Sequence, residues 1–86
     1  MPYIDQSRRA EINDSSLVET PGELNWLITI LISEYVNKKG MSYTTLNEVV
    51  GVLECAKLEL YRRVASPYED QKMQQNGDVY QLIKES

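Results

Sequence analysis

Histidine is missing from this chain, and so is phenylalanine. Without histidine there is no Ser-His or Cys-His nucleophile pair and no imidazole metal ligand. A single cysteine, Cys55, excludes an internal disulfide and a multi-cysteine zinc site. It falls mid-helix between Glu54 and Ala56, where a neighbouring carboxylate raises a thiol pKa, so a buried, inert thiol is expected. The four glycines are scattered and form no phosphate-cradling loop. Long apolar runs are lacking too. The longest, Trp26 to Ile32, is broken by Thr29 and is too short to span a bilayer. The start, Met1-Pro2-Tyr3-Ile4-Asp5, turns polar too early for a signal peptide. A reducing cytoplasm is the expected compartment.

At 86 residues the chain is one small domain with room for a limited core. An apolar fraction of 42% fits a folded protein. Six tyrosines carry most of the aromatic character, and tyrosine suits interfaces and pocket edges. The net charge of −4 argues against direct DNA binding through phosphate neutralisation. The basic residues instead include three pairs, Arg8–Arg9, Lys38–Lys39 and Arg62–Arg63, so a local basic pocket remains open.

Helix punctuation organises the rest. Thr20 is an N-cap, Pro21 takes the first helical position, and Glu23 completes a capping box. Gly40 after Lys38-Lys39 closes that helix. Leu24, Leu27, Ile28, Leu31 and Tyr35 form an apolar stripe, with Trp26, Ile30, Ile32 and Val36 elsewhere around the helix. A helix apolar on most sides is expected to be covered on more than one face, in part by a second copy. A second helix is expected from about Thr44 to Ala65, capped by Ser42, Thr44 or Thr45, with Thr45–Glu48 as a box. Its stripe is Leu46, Val49, Val50, Leu53, Ala56, Leu60 and Val64, and Gly51 suggests close approach of another backbone. Ser66-Pro67-Tyr68-Glu69 repeats the Thr20 pattern, so the second helix is expected to end or kink there and a third to start at Pro67 and stop at Asn76-Gly77. Asp5 is a candidate cap for a short helix to Ile12, residues 13–19 read as a loop, and Asp78 caps a last short helix with Val79, Leu82 and Ile83. The expected architecture is all-α and forms an oligomeric bundle. An N-terminal arm (1–19) precedes an antiparallel helical hairpin (20–65), and a proline-started third helix and a short terminal helix follow (66–86).

The segments "PYIDQSRRAEI", "TPGELNWLIT", "ECAKLELYRRV" and "PYEDQKMQQNGDVY" resemble a family of short tailed-bacteriophage proteins of unknown function. The resemblance runs from about Pro2 to Tyr80. It implies a phage product acting in the cytoplasm of a bacterial host, where such proteins block host defence or redirect host machinery. It carries no catalytic or binding residues with it.

Carboxylates and arginines are the remaining chemistry. Glu11 and Asp14 form an E-x-x-D pair. Glu48, Glu54 and Glu59 are spaced six and five apart, which scatters them around a helix and works against a magnesium-dependent nucleotide pyrophosphohydrolase. The cluster Tyr61, Arg62, Arg63 and Tyr68, beside an expected helix N-terminus, suits a nucleotide-like anion: arginine forks hold phosphate and tyrosine faces stack on a base. Arg8 and Arg9 near Tyr3 are a second candidate anion contact. The bland account is that Arg62 and Arg63 pair with Glu59, Glu69 or Asp70, and that Arg8 and Arg9 lie solvated on an arm. The leading expectation is a non-enzymatic, cofactor-free binding protein that antagonises host defence by sequestering a nucleotide-type signal at a homo-oligomer interface. The alternatives are an interaction protein that inhibits a host protein, and the magnesium-dependent hydrolase.

Overall fold

A computed structural model describes residues 1–80 and residue 83. Among the described residues the chain is helical and has no strand, as the punctuation predicts. No helix among the described residues is long and apolar enough to cross a membrane. The chain divides into two compact units, Met1–Val49 and Val50–Ser86.

In the first unit, helix α1 spans Gln6–Glu11. Asp5 precedes it, but only its backbone carbonyl helps, accepting the N–H groups of Arg8 and Arg9 at 3.0 Å. The expected loop that follows holds a 3₁₀ turn, Ser15–Leu17, because Asp14 Oδ1 accepts the Ser16 N–H at 2.7 Å. Helix α2 spans Pro21–Lys39. Thr20 Oγ1 accepts the Glu23 N–H at 3.1 Å, and at the far end Gly40 takes φ 98°, a conformation that favours glycine. The capping box is not closed on Thr20 itself. Glu23 Oε1 accepts the N–H of Glu19, one residue earlier, at 2.9 Å.

Helix α3 spans Tyr43–Leu60. Ser42 is its cap, accepting the N–H of Thr45 at 3.1 Å, and Thr45 is buried. The expected Thr45–Glu48 box gives way to another contact: the Tyr35 hydroxyl donates to Glu48 Oε2 at 2.5 Å. Tyr35 and Glu48 lie on opposite sides of the Gly40–Ser42 link, so the last turns of α2 and the first turns of α3 lie side by side. That is the turn of the expected hairpin.

Burial reverses one expectation. Ile12 is the buried apolar residue among those described, at 2% exposure. Leu24, Ile28, Leu31 and Tyr35, read from periodicity as the core stripe, are exposed, and Leu27 is half-buried. Trp26, Ile30, Ile32 and Val36, expected elsewhere on the helix, are half-buried instead. The N-terminal segment decides this, because it reaches α2 at Gly22, Glu23 and Trp26. A Cβ on Gly22 would stand 3.1 Å from the Met1 carbonyl oxygen and 3.2 Å from Ile4 Cγ2, so the missing side chain makes room for that approach.

In the second unit, the helix does not break at Ser66. A π-helical turn, Tyr61–Ala65, follows α3 and leads straight into α4, Ser66–Asn76. Ala65 and Ser66 both have right-handed helical backbone, and the Ser66 N–H reaches five residues back to the Tyr61 carbonyl. The wider turn accommodates Pro67, which has no N–H to give and crowds a regular helix. Ser66 is therefore no cap, contrary to the pattern it shares with Thr20. Gly77, at φ 90°, ends α4 as expected. Among the described residues nothing lies within 4 Å of where a Gly51 Cβ would be, so Gly51 marks no close backbone approach there. Leu46, Val50, Leu53, Ala56 and Leu60 of the expected second stripe are exposed, as is Val64 in the π turn, and Cys55, expected to be buried, is exposed because nothing among the described residues covers this length of α3. Asp78 Oδ1 accepts the Tyr80 N–H at 2.9 Å. Leu82, assigned above to a last short helix, lies outside the described residues.

Candidate functional site

The six candidate residues fall in two places. Arg8 and Arg9 belong to the first unit. Tyr61, Arg62, Arg63 and Tyr68 belong to the second.

Arg8 is fully engaged. Its Nε and Nη2 form a fork on Glu23, at 2.8 and 3.1 Å, its Nη1 reaches Glu11 at 2.9 Å, and Nη2 also donates to the Leu17 carbonyl. A bidentate guanidinium–carboxylate pair combines charge with fixed geometry. Hydrogen bonding from Arg8, then from the Glu19 N–H, holds the Glu23 carboxyl below its ordinary pKa. Glu23 in turn, followed by Glu11, pushes Arg8 further toward its charged form. Arg9 donates from Nε to the Ile4 carbonyl at 2.8 Å and lies 4.9 Å from the centre of the Trp26 ring, within cation–π range. The arginines are neither solvated nor presented to an anion: they clasp the N-terminal segment to α2. Glu11, half of the E-x-x-D pair, serves Arg8. Asp14, the other half, is turned to Ser16, whose hydroxyl and N–H keep its pKa low. The Arg8–Glu11 spacing was visible in the sequence. Glu23 lies 15 residues away, and nothing local signalled it.

The second cluster is looser. Arg62 and Arg63 both lean on Glu59, at 3.6 and 3.8 Å, and both are exposed. Contacts this long between exposed groups stabilise little. Tyr61 is exposed, and the Glu69 carboxylate raises its hydroxyl pKa above the ordinary phenol value. With the helix continuous through Ser66, Glu69 has no helix N-terminus to cap. Lys72 sits 5.5 Å from the Tyr68 ring centre, one turn along α4. Because the helix runs through Ser66, the free first-turn N–H groups that an anion would use are not offered there. The arginine–tyrosine cluster keeps its charges and ring faces but loses the helix N-terminus it was expected to have.

A groove of about 360 Å³ lies nearby in the same unit, lined by Glu69, Asp70, Met73, Asn76, Asp78 and Tyr80 among others. None of the candidate arginines lines it, and its three carboxylates against Lys72 make it a poor anion site. No group of three or more His, Cys, Asp or Glu side chains placed to hold a metal ion occurs among the described residues.

The chain belongs to the family of the DUF6899 domain, a domain of unknown function, which matches residues 1–79. No curated protein and no solved structure matches it.

Proposed function

We propose that the chain is a non-enzymatic interaction protein that works by burying apolar helix faces against protein. One observation carries this reading: Leu24, Ile28, Leu31 and Tyr35 form a continuous stripe along α2 at helical spacing, and all four are exposed. Contiguous exposed apolar surface of this kind marks a binding site, and helix faces with anchors three and four residues apart are a common recognition mode. The test is light scattering after size exclusion, together with binding of a dye specific for exposed apolar surface. The reading expects either an assembly heavier than one chain or strong dye binding that a stoichiometric protein partner suppresses. A lone chain that binds no dye would refute it.

A second reading, sequestration of a nucleotide-type anion, draws on Arg62 and Arg63, whose shared hold on Glu59 is long enough to yield to a phosphate. Calorimetric titration with nucleoside phosphates, on the chain and on its Arg62→Ala/Arg63→Ala variant, tests it. Equal heats from the two would remove the site. Antagonism of host defence in a bacterial cytoplasm, and the tailed-phage setting itself, rest on the segment resemblance alone. An antagonist would restore plaque formation on a defended host.

A further inference from the structure

Along α3 four of the exposed apolar residues fall in a seven-residue repeat, while Val52 and Leu58, 67 and 54% exposed, lie outside it. Leu46, Leu53 and Leu60 are seven apart, and Val50 and Lys57 lie between them at the four-residue offset. In coiled-coil terms Leu holds every d position, while the a positions hold Tyr43 at the helix start, then β-branched Val50 and a single Lys. That combination favours two parallel strands, and a lone polar residue at a fixes the register. The π turn at Tyr61–Ala65 shifts the spacing by a residue and so ends the seam after Leu60. Leu46, Val50, Leu53 and Leu60 are 43, 66, 41 and 62% exposed, and the Lys57 side chain is 68% exposed. Together these five residues offer roughly 500 Å² of surface per chain, the Lys57 stem included, so two such faces supply about 1,000 Å², the lower bound for a specific interface. Lys57 brings its own counter-charge: Glu54 Oε1 is 3.2 Å from its Nζ, and both are exposed beside the seam.

We propose that α3 pairs in parallel and in register with α3 of a second copy of this chain, through Leu46, Val50, Leu53, Lys57 and Leu60. This rests on the interaction reading above and names its first partner. Equivalent residues then face each other across the seam. Cys55 is two positions past Leu53 and five past Val50, on the opposite side of the helix from the seam, and it is exposed. The native thiol is therefore a built-in negative control for cross-linking.

The experiment uses the full chain. Light scattering at about 100 µM should give twice the mass of one chain. Leu53→Glu places two like charges at the seam and should weaken the dimer by roughly 100-fold or more, with helicity by circular dichroism unchanged because Leu53 is exposed in the single chain. Lys57→Leu removes the polar layer and should tighten the dimer by about tenfold. In a Cys55→Ser background, Val50→Cys should form an inter-chain disulfide under mild oxidation, whereas the native Cys55 should not, since only facing residues of in-register helices come within disulfide reach. A one-chain mass, a dimer indifferent to Leu53→Glu, or a Val50→Cys chain that stays reduced would each overturn the proposal. A one-chain mass combined with a stoichiometric complex with another protein would overturn it while leaving the interaction reading standing. A one-chain mass with no dye binding would end both.

Discussion

Truncating Ile12 tests whether the N-terminal segment is part of the folded first unit or an appendage to it. Ile12 is 2% exposed, the deepest apolar side chain among the described residues. Replacing it with alanine removes three carbons from that site, worth about 0.8 kcal/mol each in transfer free energy, or roughly 2.4 kcal/mol. The cavity left behind adds to this, so the expected loss is about 3 kcal/mol, inside the usual range for such truncations. Ile12→Val removes one carbon and should cost about 1 kcal/mol. Val52→Ala, at a site 67% exposed, should change stability by less than about 0.5 kcal/mol. Urea unfolding followed by tryptophan fluorescence reads this directly, because Trp26 is the only tryptophan and lies under Arg9 of the same segment. The loss should appear as a lower midpoint at constant slope. If Ile12→Ala costs less than about 1 kcal/mol, the segment is not holding the unit together and the account of α2 burial given above is wrong.

Other perturbations follow from the same contacts. The Glu23 carboxyl has its pKa lowered in the folded chain, so the clasp contributes fully above the unfolded value of about 4.3 and is lost as pH falls through the lower folded value. Trp26 fluorescence should show that acid step, and Glu23→Gln should abolish it. Gly51→Ala has open space for its methyl group and should stabilise α3 by roughly 0.5–1 kcal/mol, measured by thermal unfolding; a loss would mean that something outside the single chain approaches Gly51. Ser42→Ala removes the cap on Thr45 and should cost about 1 kcal/mol by the same measurement. Pro67→Ala restores a backbone donor inside a continuous helix. It should raise stability by up to about 3 kcal/mol and increase helicity, unless the π turn already relieves the whole strain, in which case neither changes.

What the sequence revealed and what it hid divide by range. Thr20, Pro21 and Gly40 act within a turn of where they stand, and each does in the structure what its local chemistry predicts. Ser66-Pro67-Tyr68-Glu69 carries the same letters to a different end, because a preceding helix can absorb a proline by widening into a π turn, an option that capping chemistry does not reveal. Glu69 was read as a capping partner, but the helix runs on through Ser66 and leaves it no N-terminus to cap. The arginine pairs show the limit most plainly. Arg62 and Arg63 find Glu59 within four residues, as the helical spacing allows, whereas Arg8 finds its main partner 15 residues on and so passed for a free cation. Periodicity has the corresponding blind spot. It locates an apolar face on α2 and on α3 but is silent about what lies opposite. In the single chain the N-terminal segment reaches a different side of α2, the side of Glu23 and Trp26. The stripes that pattern alone assigned to the core therefore remain exposed, which makes them the faces on which function is to be sought.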